Sequence, residues 1–185
     1  MTRRPAPARP ATEKELVRAV AAILERDGWR AYVDPDGTDY FDLVVRRAGV
    51  VGLVEAKLGR PRELLVQALR RRAWGDWVAV VVPSVRVAER LARSTDGRRA
   101  APVGVWALEA AALREIRPAR SFVPSGDTDP FAGHRARFRE LLDRIDRGDL
   151  PEGIRWDGLG GEIRRSSGGR GFREWRLDEE TRGAD

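Results

Sequence analysis

Asp42, Glu55 and Lys57 are the residues of this chain whose types and spacing could act together on a substrate. Asp42 opens the apolar run Leu43-Val44-Val45. Glu55 and Lys57, one residue apart, close the run Val50-Val51-Gly52-Leu53-Val54. Alternate residues of a strand share a face, so Glu55 and Lys57 are expected to point the same way. A hairpin turning at Ala48-Gly49 lays the start of the first run beside the end of the second, which brings Asp42 next to Glu55 and Lys57. Two carboxylates so placed can share a hard divalent cation such as Mg²⁺, which takes oxygen ligands and keeps several waters. The carbonyl of Ala56 could add a third oxygen. Lys57 would then orient or deprotonate a water, or stabilise charge on a phosphate.

The elements that must position these groups are legible in order. Thr12 with Glu15 three residues on is a capping-box signature, and Leu16, Val17, Val20, Ile23 and Leu24 follow at helical spacing up to Asp27-Gly28. Counted from Glu13, the apolar Leu16, Val17, Val20 and Leu24 lie three, four, seven and eleven residues on. Glu13 therefore tops the buried face and is the preferred helical carboxylate, with Glu15, better explained by the cap, as the fallback. Strands are predicted over Trp29–Val33, Tyr40–Arg46, Val50–Leu58, Trp77–Val82 and Val103–Leu108, and helices over Arg62–Ala73 and Val85–Ser94, with Thr95–Pro102 a polar loop. Asp34, Asp36 and Asp39 read as turn formers. The order αβββαβαβ implies an α/β fold, a mixed central sheet flanked by helices. Residues 1–11 read as a disordered basic arm, 12–116 as the domain, 117–130 as a linker, 131–150 as a C-terminal helix through Phe138, Leu141, Leu142 and Ile145, and 151–185 as a flexible Gly/Arg-rich tail holding Trp156 and Trp175.

The pattern Asp42-x₁₂-Glu55-Ala56-Lys57, after a helix carrying Glu13 and before one carrying Gln67, resembles the PD-(D/E)xK nuclease superfamily, especially its Holliday-junction-resolvase-like and virus-type replication–repair branches. The likeness covers roughly Thr12 to Leu108, with Phe41 standing where the motif name has proline. It implies a restriction-endonuclease-like core and a Mg²⁺-dependent nuclease, with Mn²⁺ the alternative ion. Asp42, Glu55 and Glu13 would hold the metal, Lys57 would be the catalytic lysine, and Gln67 would stand at the site's edge. By that analogy the partner is DNA, with RNA left open, and the protein could form a homodimer.

Composition sets the bounds. The chain has no cysteine, which excludes disulfide frameworks, thiolate metal sites and Cys nucleophiles, and its one histidine, His134, excludes a His-rich metal site and reads as an exposed helix residue. No apolar run reaches membrane-spanning length, and the basic N-terminus leads into Pro and Ala rather than a signal-peptide core, so a cytoplasmic protein with no membrane partner is expected. The net charge of +6 is compatible with a polyanionic partner. Arg60, Arg62, Arg70, Arg71 and Arg72 flank the site and could meet phosphates, although a solvated face explains a run of arginines nearly as well. Only two of the 35 basic residues are lysines, Lys14 and Lys57. A lysine kept where arginine is the rule singles out Lys57, because arginine is wider and stays charged. Two other readings stay open: a nuclease-like fold that binds nucleic acid or a partner without turnover, and a protein partner docking on the tail.

Overall fold

A computed structural model describes residues 10–33, 41–59, 61–122 and 129–149. The expected basic arm up to residue 9, the turn formers Asp34, Asp36 and Asp39, Arg60 and the tail 151–185 lie outside the described residues. The chain divides into two units, one built from residues up to 33 and from 41 to 136, the other holding Arg137 onward.

In the first unit a helix α1 (Glu13–Arg26) precedes strands β1 (Arg30–Val33), β2 (Leu43–Arg47) and β3 (Val50–Ala56). Helix α2 (Pro61–Arg71), β4 (Trp77–Val82), α3 (Val85–Arg93), a short α4 (Thr95–Arg99), β5 (Gly104–Glu109) and β6 (Ala112–Arg117) follow. The strands form one mixed sheet in sequence order. β1, β2 and β3 run antiparallel, β3, β4 and β5 parallel, and β6 returns antiparallel on β5. The α/β class and the flanking helices are as the sequence implies.

Thr12 caps α1 by accepting the Glu15 N–H at 3.1 Å, while Glu15 Oε2 accepts the N–H of Ala11 at 2.7 Å. The reciprocal cap is thus formed one residue further out than the usual box. Gly28 follows the helix with φ +83°, the left-handed conformation that glycine takes without cost. The buried face of α1, Leu16, Val17, Val20, Ala21 and Leu24, packs against Leu43, Val45, Val54, Ala56, Ala79, Val81, Trp106 and Leu108 of the sheet. α2 packs on β3 and β4, and α3 on β4, β5 and β6. Two successive parallel strand connections of the same, right-handed sense put both helices on the face opposite α1. Near the start of β3, Gly52 leaves room for the Trp77 indole, since a Cβ there would come within 2.0 Å of the ring. Trp77 in turn stacks edge-on with Trp29 at 5.4 Å and lies 5.5 Å from Trp106.

Three expectations are corrected. The stretch Thr95–Pro102 is not all loop: Ser94 Oγ accepts the Gly97 N–H at 2.9 Å and starts α4, with Asp96 in its first turn. The sheet does not end at Leu108, because β6 pairs with β5 around a hairpin at Ala110-Ala111, both with positive φ (51° and 60°). Alanine rarely takes that conformation, so the residue types carried no turn signal. Nor do residues 117–122, the described start of the expected 117–130 linker, merely connect. Arg117 gives three hydrogen bonds to the carbonyls of Val103, Gly97 and Ala100, Arg120 N–H bonds Pro102 O, and Phe122 N–H bonds Asp76 O.

A last helix, α5 (Ala132–Arg147), starts in the first unit and continues in the second, where Phe138, Leu141 and Leu142 are buried and Ile145 half-buried at the expected spacing. Among the described residues no helix is long and apolar enough to cross a membrane.

Candidate active site

The hairpin turns at Ala48 and Gly49, with φ 48° and 81°, and fixes the register Leu43↔Val54. One step further Asp42 stands opposite Glu55, but the ladder stops there. In place of a main-chain acceptor, Asp42 Oδ2 takes the Ala56 N–H at 2.7 Å. Next along β3, the Lys57 N–H bonds Val81 O of β4 at 3.2 Å. Main-chain direction alternates along a strand, so Ala56 turns its N–H and C=O toward β2, the side of Asp42.

Side chains alternate too. Val54 and Ala56 belong to the α1 face, which leaves Glu55 on the α2 face. There Arg71, in the last turn of α2, donates from Nε to Glu55 Oε1 at 2.9 Å, and the pair is sequestered, with side chains 12% and 3% exposed. The Arg71 guanidinium also lies over the Phe41 ring, 5.4 Å from its centroid. Lys57 does not share that surrounding. Past the end of β3 its Nζ reaches Glu13 Oε2 at 2.8 Å, at the start of α1, and the Leu58 N–H donates to Glu13 Oε1 at 3.3 Å. The end of β3 is therefore pinned between helices on opposite faces, and Glu55 and Lys57 go to different partners.

Burial pushes the Glu55 carboxyl up to about 7, against the pull of the Arg71 charge, and the neighbouring Asp42 charge raises it further. Asp42 is raised as well, mainly by burial, against the Ala56 hydrogen bond and the charges of Lys57 and Arg71. Lys57 is raised, first by its hydrogen bond to Glu13, and is therefore a cation at neutral pH. It is a charge-stabilising group rather than a base as it stands.

The sign of the resulting pH dependence follows from Glu55. Its carboxyl takes a proton at about 7 in the folded protein and near its ordinary 4.5 once unfolded. Between those values the folded state holds more protons, so stability falls as pH rises from 4.5 to about 7 and levels off above, by an amount on the order of 3 kcal/mol. Urea midpoints are expected to be lower at pH 8 than at pH 5, and Glu55→Gln should flatten most of that slope. An unchanged profile in Glu55→Gln would assign the slope to other groups.

The other candidate residues separate. Gln67 is half-buried, one turn before Arg71 and on the same side of α2. Arg70 and Arg72 are exposed, Arg62 lies in the first turn of α2, and Arg71 is turned inward onto Glu55 rather than onto a solvated face. Glu15 serves the cap of α1. His134 is not an exposed helix residue: it is half-buried, edge-on to Trp74 and Phe131.

Residue types and spacing gave no sign of two further polar groups. Asp76 is buried and clamps the start of β3, its Oδ2 accepting the Val51 N–H and its own N–H bonding Val51 O, both at 2.8 Å. Arg135 is 2% exposed. It donates to the carbonyls of Gly75 (3.1 Å), Arg72 (3.3 Å) and Phe122 (3.5 Å) and pairs with Asp129. Their partners are distant in sequence, and Arg135 is one arginine among many.

The donor set can be tested against Mg²⁺. Asp42 and Glu55 offer oxygens of two adjacent, mutually repelling and largely dehydrated carboxylates, where a hard cation would be welcome. Mg²⁺ binds through one or two carboxylates plus waters, so this pair suits it, with the Ala56 carbonyl on the same side. The expected third carboxylate does not join them, because Glu13 is held by Lys57 and Leu58. Among the described residues no group of three or more His, Cys, Asp or Glu side chains is placed to hold a metal ion. No family model, curated protein or solved structure matches the chain.

Proposed function

We propose that this protein is a Mg²⁺-dependent nuclease, of the restriction-endonuclease-like fold, that hydrolyses phosphodiester bonds in DNA. The observation that carries the reading is the cross-strand pair Asp42 and Glu55 at the open end of a hairpin, with the protonated Lys57 two residues past Glu55. Two dehydrated carboxylates beside a cation form a poor structural motif and a good place for a metal and a phosphate. A bound divalent ion would supply Lewis-acid activation of the phosphoryl group and of the attacking water. Asp42 and Glu55 would hold it, the first already oriented by the Ala56 N–H. Lys57 would place positive charge where the pentacoordinate phosphorus gathers negative charge. A P–O bond to water forms as the water gives a proton to solvent, the bond to the leaving oxygen breaks as that oxygen takes up a proton, and a phosphate monoester and a hydroxyl result.

A second reading has its own support. The pairs Lys57–Glu13 and Arg71–Glu55 already engage both Lys57 and Glu55, which favours a module that binds nucleic acid without turnover. One experiment separates the two. Full-length protein is incubated with labelled duplex, flap, junction and single-stranded DNA, and with RNA, in Mg²⁺, in Mn²⁺ and in EDTA. The nuclease reading expects metal-dependent products on at least one substrate. Binding with no product on any of them would leave the second reading standing.

A further inference from the structure

A shallow concavity on the α2/α3 side of the sheet is lined by Arg86, Glu89, Arg90, Arg93 and Ser94. Arg86, Arg90 and Arg93 are spaced four and three residues apart, so they form one stripe along α3, and all three are exposed. Arg93 is partly spent on Glu89, to which it donates at 3.3 Å. Arg86 and Arg90 have no ion-pair partner among the described residues. Beyond the helix end, Arg98 folds back over it, donating to Arg93 O and to Thr95 Oγ1.

Two features separate this stripe from an ordinary solvated face. Arg86 sits in the first turn of α3, where the helix dipole favours an acid, and that turn contains no acid at all. Helix stability gives no reason for a cation there, whereas an anionic partner does. The stripe also begins at the end of the sheet that carries the candidate site. Val81 of β4 is the register partner of Ala56, and the chain passes from Val82 through Pro83 and Ser84 into α3. Arg86, in the first turn of α3, therefore lies at the same, C-terminal end of the parallel strands as Lys57. From Arg86 to Arg93 the helix rises about 10 Å, about three base steps of axial rise in duplex DNA.

We propose that the α3 stripe, chiefly Arg86 and Arg90, is the track on which the sugar–phosphate backbone of DNA lies as it leaves the Lys57 end of the sheet. The inference rests on the nuclease reading for the direction of the track, and its contacts are to phosphates, so it carries no base preference.

The test is fluorescence anisotropy of a labelled duplex with the full chain in EDTA, where cleavage cannot interfere, over a salt series. Arg86→Gln/Arg90→Gln is compared with wild type and with Arg18→Gln/Arg26→Gln, which removes the same charge from exposed positions on α1. The stripe variant is expected to bind about 10-fold more weakly at 0.1 M salt, with the slope of log affinity against log salt shallower by roughly 2, while the α1 variant stays near wild type. Equal losses in the two variants, or wild-type affinity and slope in the stripe variant, would overturn the proposal. So would a stripe variant that keeps its DNA affinity and loses binding to polyglutamate, the mark of a surface for an acidic protein. The nuclease reading fails separately: no Mg²⁺-dependent product, with DNA binding still dependent on Arg86 and Arg90, sinks the enzyme and leaves the track.

Discussion

Lys57→Ala is expected to reduce Mg²⁺-dependent DNA cleavage by at least about 10²- to 10³-fold, the usual cost of losing a preorganised group that meets transition-state charge. The loss should fall on the chemical step, because the ammonium acts where charge develops and not on the whole substrate. Stability should hardly change. Lys57 is 31% exposed and its partner Glu13 44%, and a pair so open to solvent contributes no more than about 1 kcal/mol. Far-UV circular dichroism and the thermal midpoint therefore serve as the control. Lys57→Arg should fail to restore the rate, since a planar guanidinium cannot replace a compact ammonium between Glu13 and a phosphate. Glu13→Gln should be milder: it leaves the lysine charged but less fixed in place. Wild-type rates in Lys57→Ala would remove the residue from the mechanism.

The largest expected effect on stability lies away from the site. Arg135→Met should cost about 3–5 kcal/mol, because it leaves the carbonyls of Gly75, Arg72 and Phe122, and the Asp129 carboxylate, without their buried donor. The guanidinium joins the end of α2, the loop before β4 and the segment after β6, which only a planar fork of several donors can do at once. Arg135→Lys should accordingly recover little. Adding Asp129→Asn to Arg135→Met should cost less than the two single changes together, since the second removes a charge that the first left unpaired. Chemical denaturation measures all four variants, and a loss under about 1 kcal/mol in Arg135→Met would show that the network is replaceable. The same clamp fixes the end of the helix that carries Arg71, so the Arg135→Met variant should also disturb the Arg71–Glu55 pair.

What could be read in the sequence was local. The helix stripe of α1, the Thr12 cap and the Ala48-Gly49 turn each depend on residues a few positions apart, and each is found where expected. The hairpin then delivers Asp42 opposite Glu55 by register alone. The reading failed where a short-range signal was missing or where the partner was remote. Ala110-Ala111 turns the β5–β6 hairpin without a glycine or asparagine to announce it. Ser94 caps α4 inside a stretch whose polarity resembled a loop. Helical spacing puts Glu13 at the top of the buried face but not against Lys57, because alternation along β3 assigns Lys57 to the face of Glu55, whereas the strand ends before that alternation applies. Arg71, one of several arginines in α2, could not be told from its neighbours until α2 was packed on β3.

The proposed metal site depends first on Asp42, whose carboxylate is positioned by the backbone of Ala56 and which stands opposite Glu55 across the hairpin. Cleavage of a DNA substrate identified with the wild-type protein should be followed across a Mg²⁺ titration for wild type and Asp42→Asn, both shown to be folded at the working pH. Mg²⁺-dependent product is expected from the wild type and none above the EDTA background from Asp42→Asn. Equal product from both proteins, with the same dependence on Mg²⁺, would contradict the proposed metal site.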